Sequence, residues 1–296
     1  MSTSQVSAQP IGSDGVAKWS RLIALPHTVF AFPFALSILL LISRVRPVSA
    51  AELLWIISAL VSARTAAMTF NRIADKEIDA RNPRTQNREL PRKVVSVRAA
   101  LVLLIASSAL FFLSSAMLGE HCLLLAPPVL LWLFFYSWSK RFTRFSHLIL
   151  GISLALAPGG VWYALTATVS WQPVVMMLAV ALWVAGFDII YSCQDVEFDK
   201  RERLFSLPAV LGIPSALFWA RVIHAASILL LLWFGGIMEC GAAYHLGTFV
   251  FALLLMRQHF LVTAADLSRV NSAFFTHNGA ASLVYLAGVF VDTQMF

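Results

Sequence analysis

Acidic residues in this 296-residue chain gather in two short segments that resemble each other. The pattern Asp-x-Glu-x-Asp occurs at residues 75–79 and again at 195–199, so each position of the second copy lies 120 residues after the first. Each copy is followed by basic residues and then by a Leu-Pro pair, at 90–91 and 207–208. Two copies with one spacing predict an internally repeated fold whose chemical site lies between the repeats.

The spacing of these acids predicts a metal site. Both copies lie where an apolar run ends, and if the helix continues through them, residues four apart share one face. Carboxylates on one face repel each other unless a cation lies between them, and Mg²⁺ takes oxygen ligands from one or two carboxylates plus substrate phosphates; two such faces would hold about two ions and one diphosphate. The predicted faces are Asn71, Asp75 and Asp79 on one side and Tyr191, Asp195 and Asp199 on the other, and the predicted Mg²⁺ ligands are Asp75, Asp79, Asp195 and Asp199.

Basic side chains around the two copies suit the same ligand, because Lys and Arg clamp phosphate oxygens. Each of them taken singly is also explained by membrane orientation, and the acids could instead form salt bridges with them. The duplicated spacing favours the metal site. One further acid, Asp188, stands inside an apolar run, where an ionisable residue indicates function. The predicted phosphate contacts are Arg72, Lys76, Arg84, Arg88, Lys140 and Arg141.

The elements that carry these residues are predicted to be membrane-spanning helices. Hydrophobic residues make up 59% of the chain and charged residues 12%, and the mean hydropathy is +0.78. A soluble domain carries about twice that charged fraction. We therefore predict an all-α integral membrane bundle with an internal pseudo-repeat, in which residues 1–20 form a polar tail and 21–296 the transmembrane domain. Runs long enough to cross a bilayer predict about nine spans, near 23–43, 50–70, 98–118, 121–139, 147–168, 172–193, 212–234, 241–257 and 275–293.

The basic residues predict the orientation. They concentrate in the N-terminal tail and in the loops after the second, fourth, sixth and eighth spans, whereas the opposite side carries only Arg44 and Arg46. Because Lys and Arg near span ends stay in the cytoplasm, the N-terminus and both acidic copies are predicted on the cytoplasmic side. The net charge of +7 thus has an explanation in orientation, and nucleic acid is not an expected partner.

The same residues resemble the motifs of the UbiA superfamily of intramembrane aromatic prenyltransferases. Its Asn-x-x-x-Asp-x-x-x-Asp and Tyr-x-x-x-Asp-x-x-x-Asp motifs match the two predicted faces, and its Arg-Thr-x-x-Arg-x-Leu-Pro and Tyr-x-x-x-Lys elements match residues 84–91 and 136–140. Residues 186–199 are similar to the 4-hydroxybenzoate polyprenyltransferase branch, especially to a bacterial subgroup linked to menaquinone made by the futalosine route. Arg72 departs from the pattern, because many members carry Asp after the Asn, but the ligand positions are intact.

The resemblance implies Mg²⁺-dependent transfer of a polyprenyl group from an allylic diphosphate to an aromatic acid, such as 4-hydroxybenzoate, in ubiquinone or menaquinone biosynthesis at the inner membrane. The donor would ionise to an allylic cation, which the phenolic ring attacks before it loses a proton. The helix over 26–40, with Phe30, Phe32 and Phe34, would line a tunnel for the tail.

Roles for individual residues follow from that resemblance. Asp188 would orient the acceptor hydroxyl or accept its proton, and Arg21 and Arg141 are candidates to contact the acceptor carboxylate. The implied catalytic residues are Asp75, Asp195 and Asp188, and the implied substrate-binding residues are Asn71, Arg72, Arg84, Arg88, Lys140, Arg141, Tyr191 and Arg21.

Other functions are left open by the sequence. The motifs contact the diphosphate and say little about the acceptor, so a dihydroxynaphthoate, a chlorophyllide or haem is an alternative acceptor. A secondary transporter also surrounds an ion site with repeated helices, although transporters place most acids in mid-span, whereas here they lie at span ends among basic residues. A purely structural membrane protein gives no reason for the duplicated acids.

Overall fold

The computed structural model describes residues 15–23 and 28–295, and within these ranges the chain is helical without strands. Residues 1–14 of the predicted polar tail, and residues 24–27 at the start of the first predicted span and tunnel helix, lie outside the described residues. The helices are α1 (Gly15–Leu22), α2 (Thr28–Ser43), α3 (Ala50–Ala74), α4 (Lys76–Arg81), α5 (Val97–Leu118), α6 (Glu120–Ser139), α7 (Ser146–Thr166), α8 (Trp171–Ser192), α9 (Val196–Arg201), α10 (Leu207–Leu211), α11 (Ile213–Ile237), α12 (Ala242–Leu261) and α13 (Asn278–Thr293).

Each predicted span corresponds to one of the long helices among the described residues, namely α2, α3, α5 to α8 and α11 to α13. Seven candidate spans are long and apolar enough to cross a membrane by length and composition. Helix α2 falls short because its apolar part, Phe30–Ser43, is shorter. Helix α12 falls short because polar residues such as His245, Arg257 and His259 lower its hydropathy. The protein is therefore a multi-pass membrane protein.

Gly119 separates the two helices that the sequence divides least clearly. Helix α5 ends at Leu118 and α6 begins at Glu120, and Gly119 between them has φ +132°. This backbone conformation favours glycine, and a Cβ at this position would lie 2.6 Å from the ring of His121. The apolar stretch from 98 to 139 is thus two helices joined by a tight turn, as predicted.

Helix α8 lies at the centre of the bundle, packed against α7 and α11. Its Trp183 is fully buried, and the indole contacts Phe34 of α2 and Phe251 of α12 with 5.0 Å and 5.7 Å between ring centroids. Gly151 of α7 permits a close approach to α8, because a Cβ there would lie 2.1 Å from the carbonyl oxygen of Ala181. This dense packing makes α8 a rigid support for the acidic copy at its end.

Both acidic copies bend their helices at the same position. Asp75 separates α3 from α4 with φ −97° and ψ 4°, and Asp195 precedes α9 with φ −101° and ψ 4°. Neither helix continues straight through its motif. The four-residue spacing nevertheless survives in the first copy, because the N–H of Asp75 donates to the Asn71 carbonyl at 2.9 Å and the N–H of Asp79 to the Asp75 carbonyl at 2.7 Å. The matching bends are the structural form of the internal repeat.

Candidate active site

The two acidic copies meet around one polar cavity of about 160 Å³. All four predicted metal ligands line it, and so do most of the predicted substrate-binding residues. The third segment in the wall is the end of α6, which was predicted from the Tyr-x-x-x-Lys element. The lining residues that were predicted are Asn71, Asp75, Asp79, Arg84, Arg88, Tyr136, Lys140, Arg141, Asp188, Tyr191, Asp195 and Asp199.

In the first copy, each aspartate contacts a cation. Nδ2 of Asn71 donates to Asp75 at 2.9 Å, and the other carboxylate oxygen of Asp75 accepts from Arg141 at 3.2 Å. Asp79 is buried and accepts from Arg88 with both oxygens, at 2.7 and 2.8 Å. Burial and the neighbouring Asp79 carboxylate raise the pKa of Asp75, against the lowering effect of Arg141.

In the second copy, Asp195 is buried and holds an arginine that comes from the first repeat. Arg84 donates from Nε at 2.9 Å and from Nη2 at 2.5 Å to the two oxygens of Asp195, and Asn82 donates to the same carboxylate at 3.2 Å. Burial lowers the pKa of Arg84, but the ion pair with Asp195 outweighs burial and raises it. Arg84 also donates from Nη1 to the Tyr191 hydroxyl at 2.9 Å, and its Cζ lies 5.0 Å from the centroid of that ring.

Lys140 completes the cationic side of the cavity. Burial lowers its pKa, but the nearby carboxylates of Asp199, Asp188 and Asp195 outweigh burial and raise it. Oδ2 of Asp199 is buried and makes no hydrogen bond. An unpartnered buried carboxylate oxygen carries a free-energy cost, which a cation bound here would remove.

The donor set fits a hard divalent cation in its chemistry, because Mg²⁺ is bound by oxygen, and these acids supply only oxygen. The free oxygen of Asp199 gives one open ligand position. Within residues 15–23 and 28–295, no group of three or more acidic, His or Cys side chains is already arranged around one point. Asp75, Asp79 and Asp195 each contact an arginine in this structure, so metal binding would require these arginines to exchange partners.

Asp188 has a partner that sequence reasoning missed. Nδ1 of His147, on α7, lies 2.6 Å from Oδ2 of Asp188. The backbone N–H of Leu207 lies 3.2 Å from Nε2 of the same ring, so Nε2 is the acceptor and Nδ1 carries the proton that Asp188 accepts. His147 begins a predicted span and is 2% exposed. The rule that singled out Asp188, an ionisable group at membrane depth, would also have found His147.

Three predicted substrate contacts lie elsewhere. Arg72 is buried and donates from Nε to the Leu22 carbonyl at 3.1 Å, so it ties α1 to α3. Arg21 forms an ion pair with Glu89 at 3.2 Å. Lys76 lies 3.9 Å from Glu77. None of the three lines the polar cavity in this structure, and their role in substrate binding stays a prediction.

A larger, apolar cavity of about 420 Å³ adjoins the polar one, and the two share Asn71 and Tyr136 in their walls. It follows α3 from Ile56 to Asn71, which is about 22 Å at 1.5 Å per residue. Arg64 lies in this wall about two helical turns before Asn71. A ligand with a charged head and a long hydrocarbon tail would fill both cavities.

Of the three phenylalanines predicted along the tunnel, one lines the cavity. Phe32 is in its wall. Phe30 packs on Phe187 at 5.2 Å and Phe34 stacks on Tyr285 at 4.8 Å between centroids, and both are buried. Residues of α3, α6 and α7 therefore form more of the apolar cavity wall than residues of α2 do.

Comparison with known proteins agrees with this arrangement. Residues 30–279 match the UbiA prenyltransferase family. A polyprenyl transferase from Arthrobotrys oligospora is 35% identical over 156 residues, which are 52% of this chain and 42% of that protein. The 4-hydroxybenzoate octaprenyltransferase of Francisella tularensis subsp. novicida is 26% identical over 233 residues, which are 78% of this chain and 81% of that enzyme.

Two solved structures share the fold. The apo structure of a UbiA homologue from Aeropyrum pernix K1 superposes with a TM-score of 0.81 at 35% identity and covers 91% of this chain and 98% of that one. A UbiA homologue from Archaeoglobus fulgidus bound to GPP and Mg²⁺ superposes with a TM-score of 0.69 at 21% identity and covers 94% and 99%. With a family match over most of its length, and with both acidic motifs around one cavity, this chain belongs to the UbiA prenyltransferase family.

Proposed function

We propose that this protein transfers a polyprenyl group from an allylic diphosphate to a ring carbon of 4-hydroxybenzoate, with Mg²⁺ as cofactor. The observation that carries the proposal is the junction of the two cavities at Asn71 and Tyr136. A prenyl diphosphate has a charged head and a long apolar tail, and its reacting carbon lies between them. Its C1 would therefore lie near that junction.

The polar cavity supplies the groups that a leaving diphosphate needs. Arg84, Arg88 and Arg141 neutralise carboxylates in this structure and would turn to phosphate oxygens when the donor binds, with Lys140 beside them. Fixed cations at the point where negative charge develops lower the barrier to ionisation. The residues that would hold Mg²⁺ are Asp75, Asp79, Asp195 and Asp199, and the ion, when bound, would add positive charge at the diphosphate.

The reaction balances without a redox partner. The C1–O bond of the donor breaks and its electron pair leaves with the diphosphate, and the aromatic ring then forms a C–C bond to the allylic carbon. The ring carbon that has formed the new bond then loses its proton, which restores aromaticity, and Asp188, held by His147, is the proposed acceptor for a proton of the substrate. Apolar walls around the tail exclude water, which would otherwise capture the allylic cation.

The acceptor needs a cation for its carboxylate. Arg141 already donates to the Ala74 carbonyl at 2.7 Å and to Asp75, and Arg21 is 62% exposed and contacts Glu89. Arg141 lines the polar cavity and is the proposed contact for the benzoate, because a guanidinium can bind both oxygens of a carboxylate. Relatives named for 4-hydroxybenzoate support the same acceptor.

The proposed cellular role is respiratory quinone biosynthesis at the inner membrane, with the polar cavity on the cytoplasmic side. The excess of Lys and Arg on the loops around that cavity supports this orientation. The product, a prenylated aromatic acid, would stay in the bilayer through its tail.

A membrane assay tests the proposal. Membranes that contain the protein are incubated with labelled polyprenyl diphosphate and MgCl₂, and with either 4-hydroxybenzoate or 1,4-dihydroxy-2-naphthoate. Label is expected in a lipid-soluble product with 4-hydroxybenzoate alone. Product with the naphthoate only would contradict 4-hydroxybenzoate as the acceptor. No product with either acceptor would overturn the proposal.

A further inference from the structure

The segment Ser272–His277, between α12 and α13, is π-helical and lies beside the candidate site. Phe274 in this segment packs on Tyr191 with 4.1 Å between ring centroids, and Phe275 meets the same ring edge-on at 6.3 Å. Tyr191 in turn holds Arg84 through its hydroxyl and its ring. π segments occur frequently at functional sites. A residue that stabilises the segment Ser272–His277 therefore also influences the geometry of the candidate site.

The side-chain amide of Asn278 is hydrogen-bonded to the backbone of the π segment. In an α-helix the Phe274 carbonyl would accept from the backbone N–H of Asn278, but that N–H donates to the Phe275 carbonyl. The side-chain Nδ2 of Asn278 donates to the carbonyls of Phe274 at 3.0 Å and Ala273 at 3.1 Å. Asn278 is fully buried, so these hydrogen bonds are shielded from water.

Neighbouring side chains set the orientation of that amide. The indole Nε1 of Trp183 is only a donor and lies 3.0 Å from Oδ1 of Asn278, which leaves Nδ2 facing the carbonyls. Nδ2 also lies 3.1 Å from Oε1 of Gln258, so its two N–H groups are shared among three acceptors. The amide nitrogen of Gln258 lies 3.2 Å from Nδ1 of His224. Four helices, α8, α11, α12 and α13, thus meet in one buried polar cluster.

We infer that Asn278 is a positioning residue for prenyl transfer: it holds Phe274 against Tyr191, and Tyr191 holds Arg84 where the diphosphate binds. The inference rests on the proposed function. Neither Asn278 nor Phe274 lines the polar cavity, whereas Tyr191 and Arg84 do. Asn278 therefore acts through the aromatic contact and does not touch the substrate.

Two substitutions and one control test this inference. Asn278→Leu removes the amide at similar volume, and Phe274→Leu removes the ring while it leaves the amide in place. Each is expected to lower kcat/KM for the prenyl diphosphate about tenfold, the factor of one hydrogen bond to a charged group, with KM for the aromatic acceptor unchanged. Ser227→Ala is the control, because its buried hydroxyl donates to the Ala179 carbonyl of α8 at 2.7 Å, away from the π segment.

The double variant decides whether the two residues act together. Because both work through one contact, Asn278→Leu with Phe274→Leu should cost no more than either alone, whereas independent sites add. Ser227→Ala should lower the thermal midpoint and leave kcat/KM for the donor unchanged. An unchanged donor kcat/KM in Phe274→Leu, or additive losses in the double variant, would overturn the inference, even if Asn278→Leu fails to fold.

A binding measurement separates this inference from the proposed reaction. Affinity of the purified protein for inorganic pyrophosphate in MgCl₂ should fall about tenfold in both Leu variants, since Arg84 loses its support. Wild-type protein that binds pyrophosphate but transfers no prenyl group would contradict the proposed function alone. Variants that bind pyrophosphate as the wild type does would contradict the positioning role alone.

Discussion

Arg84 and Asp195 form a two-point ion pair that joins the two halves of the protein, with Nε to Oδ1 at 2.9 Å and Nη2 to Oδ2 at 2.5 Å. Arg84 follows the first acidic copy, and Asp195 opens the second. The pair neutralises a buried carboxylate that would otherwise face the other acids of the cavity. It also holds a guanidinium at the place proposed for the diphosphate, so donor binding would exchange one anion for another.

Arg84→Lys is expected to lower kcat/KM for the prenyl diphosphate about tenfold or more, because an ammonium cannot contact both carboxylate oxygens and Tyr191 in one plane. Steady-state kinetics over a range of donor concentrations measure this. Arg81→Lys is the matched control, since Arg81 lies three residues earlier, is 52% exposed and pairs with Glu202. Equal rates in Arg84→Lys and wild type would remove Arg84 from the diphosphate site.

Asp75→Ala and Asp195→Ala are each expected to abolish transfer while the protein still inserts in the membrane, because each removes a proposed Mg²⁺ ligand. Product formation and the amount of protein in the membrane fraction are measured together. Glu77→Ala should keep full activity, as the Glu77 side chain is 80% exposed and lies outside the cavity wall. Activity at the wild-type rate in both Asp variants would contradict the assignment.

Removal of the metal gives an independent result. EDTA should stop product formation in wild-type membranes, and added MgCl₂ should restore it, because the proposed ligands are all carboxylates and bind hard divalent cations. An equimolar Ca²⁺–EDTA complex serves as the control for chelator effects. Full activity in excess EDTA would contradict the cofactor proposal. It would leave the assignment of the fold unchanged.

His147→Ala is expected to lower kcat about tenfold with little change in KM for the donor, because the Asp188 carboxylate loses the N–H that orients it. His147→Asn should recover much of the rate, since an Asn amide can donate from nearly the same position as Nδ1. Single-turnover rates with saturating donor and acceptor measure both variants. Identical rates for His147→Ala and wild type would contradict the proposal that His147 orients Asp188 for proton transfer.

Gly160→Phe is expected to exclude long donors and keep short ones. Gly160 lines the apolar cavity, and a Cβ added there meets no atom within 4 Å, so the ring would enter the space proposed for the tail. Competition between geranyl diphosphate and a long-chain polyprenyl diphosphate measures the change. Gly236→Phe is the control, because Gly236 has the same free space but lies outside the cavity wall. An unchanged preference in Gly160→Phe would place the tail elsewhere.

Much of the arrangement could be predicted because it depends on local properties of the chain. Membrane helices need long apolar runs, and the runs between Ala50 and Ser192 correspond closely to α3 and α5 to α8. The duplicated acids lie at helix ends, and their copies have the same backbone bend. Local spacing therefore predicted that Asn71, Asp75 and Asp79 would lie together, and that Tyr191 and Asp195 would do the same. All five residues line the polar cavity.

Other features depend on contacts between distant segments, which spacing does not specify. Arg72 and Arg84 have the same charge and lie close in sequence, yet Arg72 binds the Leu22 carbonyl and Arg84 binds Asp195. The side chain of Asn278 was not singled out by its sequence, because its role arises from a π segment in a neighbouring turn.

The amino-acid sequence by itself determined the membrane class, the paired acidic motifs and the family to which the chain belongs, because these follow from composition and local spacing. Only the tertiary structure decided which cation faces which acid, that His147 donates to Asp188, and that the polar and apolar cavities meet at Asn71 and Tyr136. The physical reason is that these relationships depend on side chains brought together by helix packing, over separations of tens to more than a hundred residues.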